Sequence, residues 1–223
     1  MKTNEELQND VQDAIKWEPL LHAAEIGVIA KDGVVMLTGV VDIYAKKIEA
    51  ENAAKHVTGV KAVVEEIKIK TSNSWDRSNA DIANEVLNAL KGRWDIPNDK
   101  VKVKVEDGWI TLEGELQWNY QKTAAKDAII NHYGVKGITN NITIKPEFQK
   151  VILQKEVEQE FARNWSINRK DIKVIVSGTK ITLSGEVSSW YQKDEAEKIA
   201  WKTPGVCTVD NRLVIEYDYS YAD

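Results

Sequence analysis

Residues 31–41 read KDGVVMLTGVV, and the chain carries that phrase twice more, as EDGWITLEGEL at 106–116 and SGTKITLSGEV at 177–187. Self-similarity at a fixed period decides the architecture before any single residue does. In each copy a tight turn feeds an alternating strand that closes on a glycine: Gly39, Gly114 and Gly185. A second glycine follows 20 positions later in every copy, at Gly59, Gly134 and Gly205. The register is gapless: adding 75 carries the first copy onto the second, and a further 71 carries it onto the third.

Upstream of the phrase, apolar residues recur at helical spacing. They are Leu7, Val11, Ala14, Ile15, then Ile82, Val86, Ala89, Leu90, then Leu153, Val157, Phe161. One buried stripe per helix follows. Trp94 and Trp165, matched to each other, come just after this helix and are expected to fold back onto the core. Period-two alternation then marks a strand with one face inward: Ile26, Val28, Ala30; Val101, Val103, Val105; Ile172, Val174, Val176. Asp32-Gly33 and Asp107-Gly108 are hairpin dipeptides, and Ser177-Gly178 serves one register earlier.

Downstream, a second helix is predicted over 44–57, 120–133 and 191–202, with alanines (Ala50, Ala54; Ala125, Ala128; Ala196, Ala200) on its inner face. The second glycine is expected to cap that helix in the left-handed conformation. A third strand carries Val63, Ile67, Ile69 and their counterparts. The fold class is therefore α+β: three tandem αββαβ units at 3–71, 78–145 and 149–217. Each is a three-stranded mixed sheet with two helices covering one face. The other face is expected to be polar, as Lys100, Lys102 and Lys104 indicate. Strand order is left open by these patterns. The joins are 71–78 (TSNSWDRS), which reads as flexible, and the tighter 146–148.

Composition narrows the function. The net charge is −5, from 30 basic and 35 acidic residues, which argues against nucleic acid as partner. No run approaches the ~20 apolar residues of a membrane span. The opening stretch MKTNEELQNDVQDAI has no apolar segment, so no secretory signal is read there and cytoplasm is the expected location. Cys207 is the single cysteine, which excludes an internal disulfide.

Three units marked by Gly39-Val40-Val41 with Gly59-Val60, Gly114-Glu115-Leu116 with Gly134-Val135, and Gly185-Glu186-Val187 with Gly205-Val206 resemble BON domains. The resemblance covers nearly the whole chain. It implies non-catalytic modules of the kind found in osmotically inducible protein Y and haemolysin-like lipoproteins, associated with envelope stress and with binding of phospholipid surfaces or other ligands. It also implies periplasm as the alternative location. The six glycines are the residues it carries over.

No catalytic constellation is found. His22, His56 and His132 do not recur between copies, and Cys207 lacks a partner histidine nearby in sequence. No phosphate-binding glycine motif is present. Gly134-Val135-Lys136-Gly137 has the GxxG form of a KH loop, but it joins a helix to a strand rather than two helices. No cofactor or metal is expected. The excess lies in the aromatics, with eight tryptophans. Tyr44, Trp118, Tyr120, Trp190 and Tyr191 cluster where the return strand gives way to the second helix, and Trp109 sits on the second hairpin. Amphipathic rings at such loops serve protein interfaces and membrane surfaces, or seal contacts between units. They are the candidate surface for a protein partner or a phospholipid surface. A small ligand held in a groove between units is the alternative.

Overall fold

A computed structural model describes residues 2–21, 25–70, 77–97, 99–147, 151–164 and 172–215. The first repeat runs α1 (Asn4–Trp17), β1 (Ile26–Lys31), β2 (Val34–Val41), α2 (Tyr44–Lys55), β3 (Ala62–Ile69). The second is α3 (Asn79–Lys91), β4 (Val101–Glu106), β5 (Trp109–Leu116), α4 (Asn119–Asp127), β6 (Gly137–Ile144). The third is α5 (Gln154–Arg163), β7 (Ile172–Ser177), β8 (Lys180–Val187), α6 (Trp190–Lys202), β9 (Thr208–Ile215). The first two repeats make up one compact unit, Lys2–Leu116 with Tyr120–Thr143, and the third repeat belongs to another.

Sheet order, open in the sequence, is β1-β2-β3 and its two equivalents, so the glycine-bearing return strand is always central. The hairpin pairs antiparallel from Ile26↔Gly39 to Lys31↔Val34. The strand after the second helix then pairs in parallel from Val34↔Ala62 to Val41↔Ile69, because a helical crossover returns the chain in the same direction. Both helices cover one face. In the first repeat Leu7, Val11 and Ile15 of α1 and Ala50 and Ala54 of α2 meet Val35, Leu37 and Ile67 in one core. Val157, Phe161, Ala196 and Ala200 do the same over Ile181, Leu183 and Leu213.

The first helices start where side chains satisfy their free amides. Thr3 accepts from Glu6 N while Glu6 accepts from Thr3 N at 2.8 Å, and Ser78 with Asp81 repeats the box. The backbone and hydroxyl of Thr3 hold the Glu6 carboxyl below its ordinary range. α5 begins after Leu153 with no side-chain cap.

The glycines divide into two devices. Gly39 has φ 140° and lies directly beneath the chain entering β1: a Cβ there would sit 2.0 Å from the Glu25 carbonyl oxygen. At Gly114 the same atom would meet the Lys100 carbonyl at 1.9 Å. The close approach is to the start of the first strand, not to the second helix, and the strand continues two residues beyond the glycine. The second glycine is not a helix cap either. α2 ends at Lys55, and Gly59 (φ 103°) is the third residue of a turn closed by Val60 N–H to Val57 C=O at 3.2 Å. His132–Val135 and Thr203–Val206 close the same turn, the latter with Pro204-Gly205 in its centre. Such turns require positive φ at that third place. The valine after each glycine, Val60, Val135 or Val206, is buried.

A polar clamp that the apolar pattern does not reveal recurs on the last strand. In a parallel pair alternate residues aim both backbone groups outward, and Ala62 and Lys70 bond inward to Gly33 and Val41. Ile67 therefore points its N–H and C=O at the open edge. Glu65 accepts the first at 2.6 Å, and Lys47 Nζ donates to the second at 3.1 Å. Glu65 and Lys47 also pair at 2.6 Å. In the third repeat Asn211 accepts from Leu213 N at 3.3 Å, and Lys193 donates to Leu213 O at 2.7 Å. Asn211 further donates to Lys193 O and Glu197 at 3.1 Å each. In the second, Asn140 accepts from Ile142 N at 3.3 Å and donates to Lys122 O at 2.8 Å.

Three expectations are corrected. Trp94 is 94% exposed, and Ile96 (like Leu21 in the first repeat) is buried in the core instead. Burying the smaller side chain leaves the indole no room, so it stays in solvent. Trp165 and His22 lie outside the described residues. α4 stops at Asp127 and loosens into turns before Tyr133. The outer face of the first sheet is mixed rather than uniformly polar: Ile29, Val34, Val40 and Val64 are exposed there beside Lys31, Glu66 and Lys68.

Two outcomes test these devices. Gly114→Ala should cost upwards of ~3 kcal/mol in urea denaturation, whereas Gly59→Ala, whose Cβ would meet nothing nearer than Leu7 Cδ1 at 3.4 Å, should cost about 1–2 kcal/mol from its backbone angle. Asn211→Ala leaves Leu213 N–H without its side-chain acceptor and should cost roughly 1–3 kcal/mol.

Candidate interaction surface

The start of each second helix sits at the end of the central strand, two residues past Val41, Leu116 or Val187. Aligned by register, the first two helical positions read Tyr44-Ala45, Asn119-Tyr120 and Trp190-Tyr191. The predicted aromatics thus fall on two different positions, and the structure treats them differently.

Tyr44 is buried, at 9% exposure, and hydrogen-bonds the backbone of Ile138 on β6. Ile138 has the outward parity of Ile142, so the bond lands on the open edge of the second sheet. Burial pushes the Tyr44 phenol up, against the opposing effect of the Ile138 backbone bond. Ala45 is buried beside it. Tyr44 is therefore not offered to a partner. It is the seal between the first and second repeats.

The position of Ala45 is occupied by Tyr120 and Tyr191 in the later repeats, 55% and 47% exposed. Trp118 is also exposed. Trp190 is half-buried, with the Lys193 ammonium 5.6 Å from its ring centroid. That distance lies within cation–π range. Trp109 lies apart, flat on the outer face of the second sheet. Its indole N–H donates to Thr139 Oγ1 at 2.9 Å, and its ring lies over Gly137, where a Cβ would come within 2.4 Å of it. The structure does not bring Trp109 to the helix starts.

Surface charge is organised in pairs. Lys180 and Arg212 both bond Asp210 at 2.8 Å and hold its carboxyl at about 2. His132 Nδ1 lies 3.9 Å from Glu85, which also pairs with Arg77. Among the described residues no three His, Cys, Asp or Glu side chains converge as a metal set, and no helix is long and apolar enough to cross a membrane. A cleft of about 450 Å³ opens between α5 and β7, lined by Phe161, Val174 and Glu158 among others. Leu21 and Ile96 enter the core after the first helix in the other repeats. Their counterpart, Ile167, lies outside the described residues.

These features define a tandem array of small α+β modules, the first two joined through a helix start on a sheet edge. The BON domain profile matches residues 3–71, 78–146 and 149–217, and the chain belongs to that family. No curated protein matches the chain. Similar solved structures include CdsD, a structural protein of the type III secretion system of Chlamydia trachomatis. It is 13% identical over 95% of this chain and 92% of that one, with a TM-score of 0.26. The C-terminal domain of CdsD is 14% identical over 96% and 100%, with a TM-score of 0.25. The periplasmic domain of PrgH is 10% identical over 92% and 98%, with a TM-score of 0.19.

The Tyr44 seal has a pH signature. An unfolded tyrosine ionises near 10, and the folded Tyr44 phenol ionises above that. Above the unfolded pKa the unfolded state therefore loses its proton first, and stability falls as pH rises. That part of the alkaline slope should vanish in Tyr44→Phe, as followed by denaturant titration at successive pH values.

Proposed function

We propose that the protein is a non-enzymatic scaffold or binding protein of the osmotic and envelope stress response. It engages a protein partner or a phospholipid surface through the aromatics at the starts of its second helices. One observation carries this reading. Tyr120 and Tyr191 stand half in solvent at the place where the first repeat has a buried alanine. Rings of this kind bury apolar area while keeping a hydroxyl for water or a polar head group. Two sites on one chain add avidity, since the second engagement is intramolecular. Family membership supports the non-catalytic part. Cytoplasm is the proposed location, with periplasm the alternative that the family brings.

The triple variant Trp118→Ala, Tyr120→Ala, Tyr191→Ala removes exposed rings only, so its thermal unfolding should match the parent. Co-sedimentation with phosphatidylglycerol-containing vesicles, or capture of proteins from osmotically stressed cells, should drop at least tenfold. Binding undiminished in both assays overturns the reading. Fractionation of stressed cells into cytoplasm and envelope tests the location.

A further inference from the structure

A lysine recurs at one place in each second helix, as Lys47, Lys122 and Lys193, and two of the three ammonium groups are occupied. Lys47 pairs with Glu65 at 2.6 Å and donates to Ile67 O at 3.1 Å. Lys193 donates to Leu213 O at 2.7 Å and lies 5.6 Å from the Trp190 ring centroid. Lys122 differs: among the described residues its Nζ has no carboxylate, carbonyl or ring partner. Three exchanges in the second repeat accompany this. Asn140 stands in the place of Glu65, so the carboxylate that faces Lys47 is gone. Asn119 stands in the place of Trp190, so the ring is gone too. Lys126 stands four residues on, where the flanking repeats have Glu51 and Glu197. Residues four apart on a helix are surface neighbours, and like charges there repel. Lys122 is nonetheless half-buried.

We propose that Lys122 is an acylation site, its amine taking an acyl group from an anionic donor of the acyl phosphate class, with Lys126 drawing in the donor's phosphate. An amine partly withdrawn from water, with no acceptor or counter-charge, gives up its proton more readily than a paired one. Burial accordingly pushes the Lys122 amine down from the ordinary lysine range. The neutral amine, not the ammonium, is the nucleophile. Its lone pair attacks the acyl carbon, an N–C bond forms, and the bond from that carbon to the phosphate oxygen breaks. Phosphate leaves with the bonding pair, and the surplus proton on nitrogen passes to it or to water. The product is an amide, and the step needs no oxidant or reductant. Lys126 adds the second cation that a phosphate leaving group suits. Lys47 and Lys193 lack both conditions, since hydrogen bonds hold their ammonium forms and a glutamate four residues on repels an anionic donor. The inference does not depend on the partner surface proposed above.

The test incubates the full chain with acetyl phosphate and follows each lysine by quantitative mass spectrometry. Lys122 should be acetylated roughly fivefold or more faster than Lys47 and Lys193. Asn140→Glu recreates the arrangement of Glu65 and Lys47, and should bring Lys122 down to the rate of Lys47. If that variant loses its fold by circular dichroism, Asn140→Asp takes its place. Lys126→Glu restores the pattern of the flanking repeats. It should slow acetylation by acetyl phosphate roughly threefold more than acetylation by neutral p-nitrophenyl acetate, which separates steering from the reactivity of the amine. Lys122 reacting no faster than Lys47 and Lys193 in the wild-type chain overturns the proposal, as does a full rate at Lys122 in the folded Asn140 variant. Equal slowing with the two donors overturns the part given to Lys126.

Discussion

A three-stranded sheet that ends on a parallel strand has an edge whose backbone groups point outward in pairs. Everything else here is arranged around that constraint. Left bare, such an edge pairs with any extended chain it meets. The molecule closes it in two ways. Within each repeat, a carboxylate or amide two residues upstream takes the N–H at Ile67, Ile142 or Leu213. A lysine from the second helix takes the C=O at Ile67 and Leu213. Between repeats, Tyr44 takes the edge at Ile138. The first device ties helix to strand and the second ties module to module, so one unsatisfied edge organises both tertiary structure and repeat assembly.

The repeat register, the element order and the inward-facing residues were legible because they obey period two and period 3.6. That pattern is imposed by burial on one side. Strand order was not legible, since the same alternation suits a central or an edge strand. The clamp was hidden for a related reason. Glu65, Asn140 and Asn211 occupy an inner-face position with polar side chains, which reads as a flaw in the pattern until the edge N–H is seen. The three-fold recurrence of Lys47, Lys122 and Lys193 at one register position was the available signal. Both glycine devices were marked correctly as architectural but placed wrongly, because spacing reports a positive φ without saying which backbone passes nearby.

The aromatics show where sequence reading stops. Tyr44, Tyr120 and Tyr191 look alike as residues beside a helix start. A displacement of one position separates a buried seal from an exposed ring, since successive residues of a helix point about 100° apart. Trp94 fails differently: the core after the first helix is filled by Ile96, and hydrophobicity alone does not rank two neighbours competing for one space.

Divergence between copies then becomes informative in its own right. Positions that all three repeats share, the glycines and the lysine of the clamp, build the module. Positions that differ set what each module meets. The first sheet turns Ile29, Val34, Val40 and Val64 outward, the second lays Trp109 across Gly137, and the third covers the same ground with Lys180, Asp210 and Arg212. A chain that needed only stability would gain nothing from three unlike outer faces. Three faces on one fold fit modules with separate neighbours.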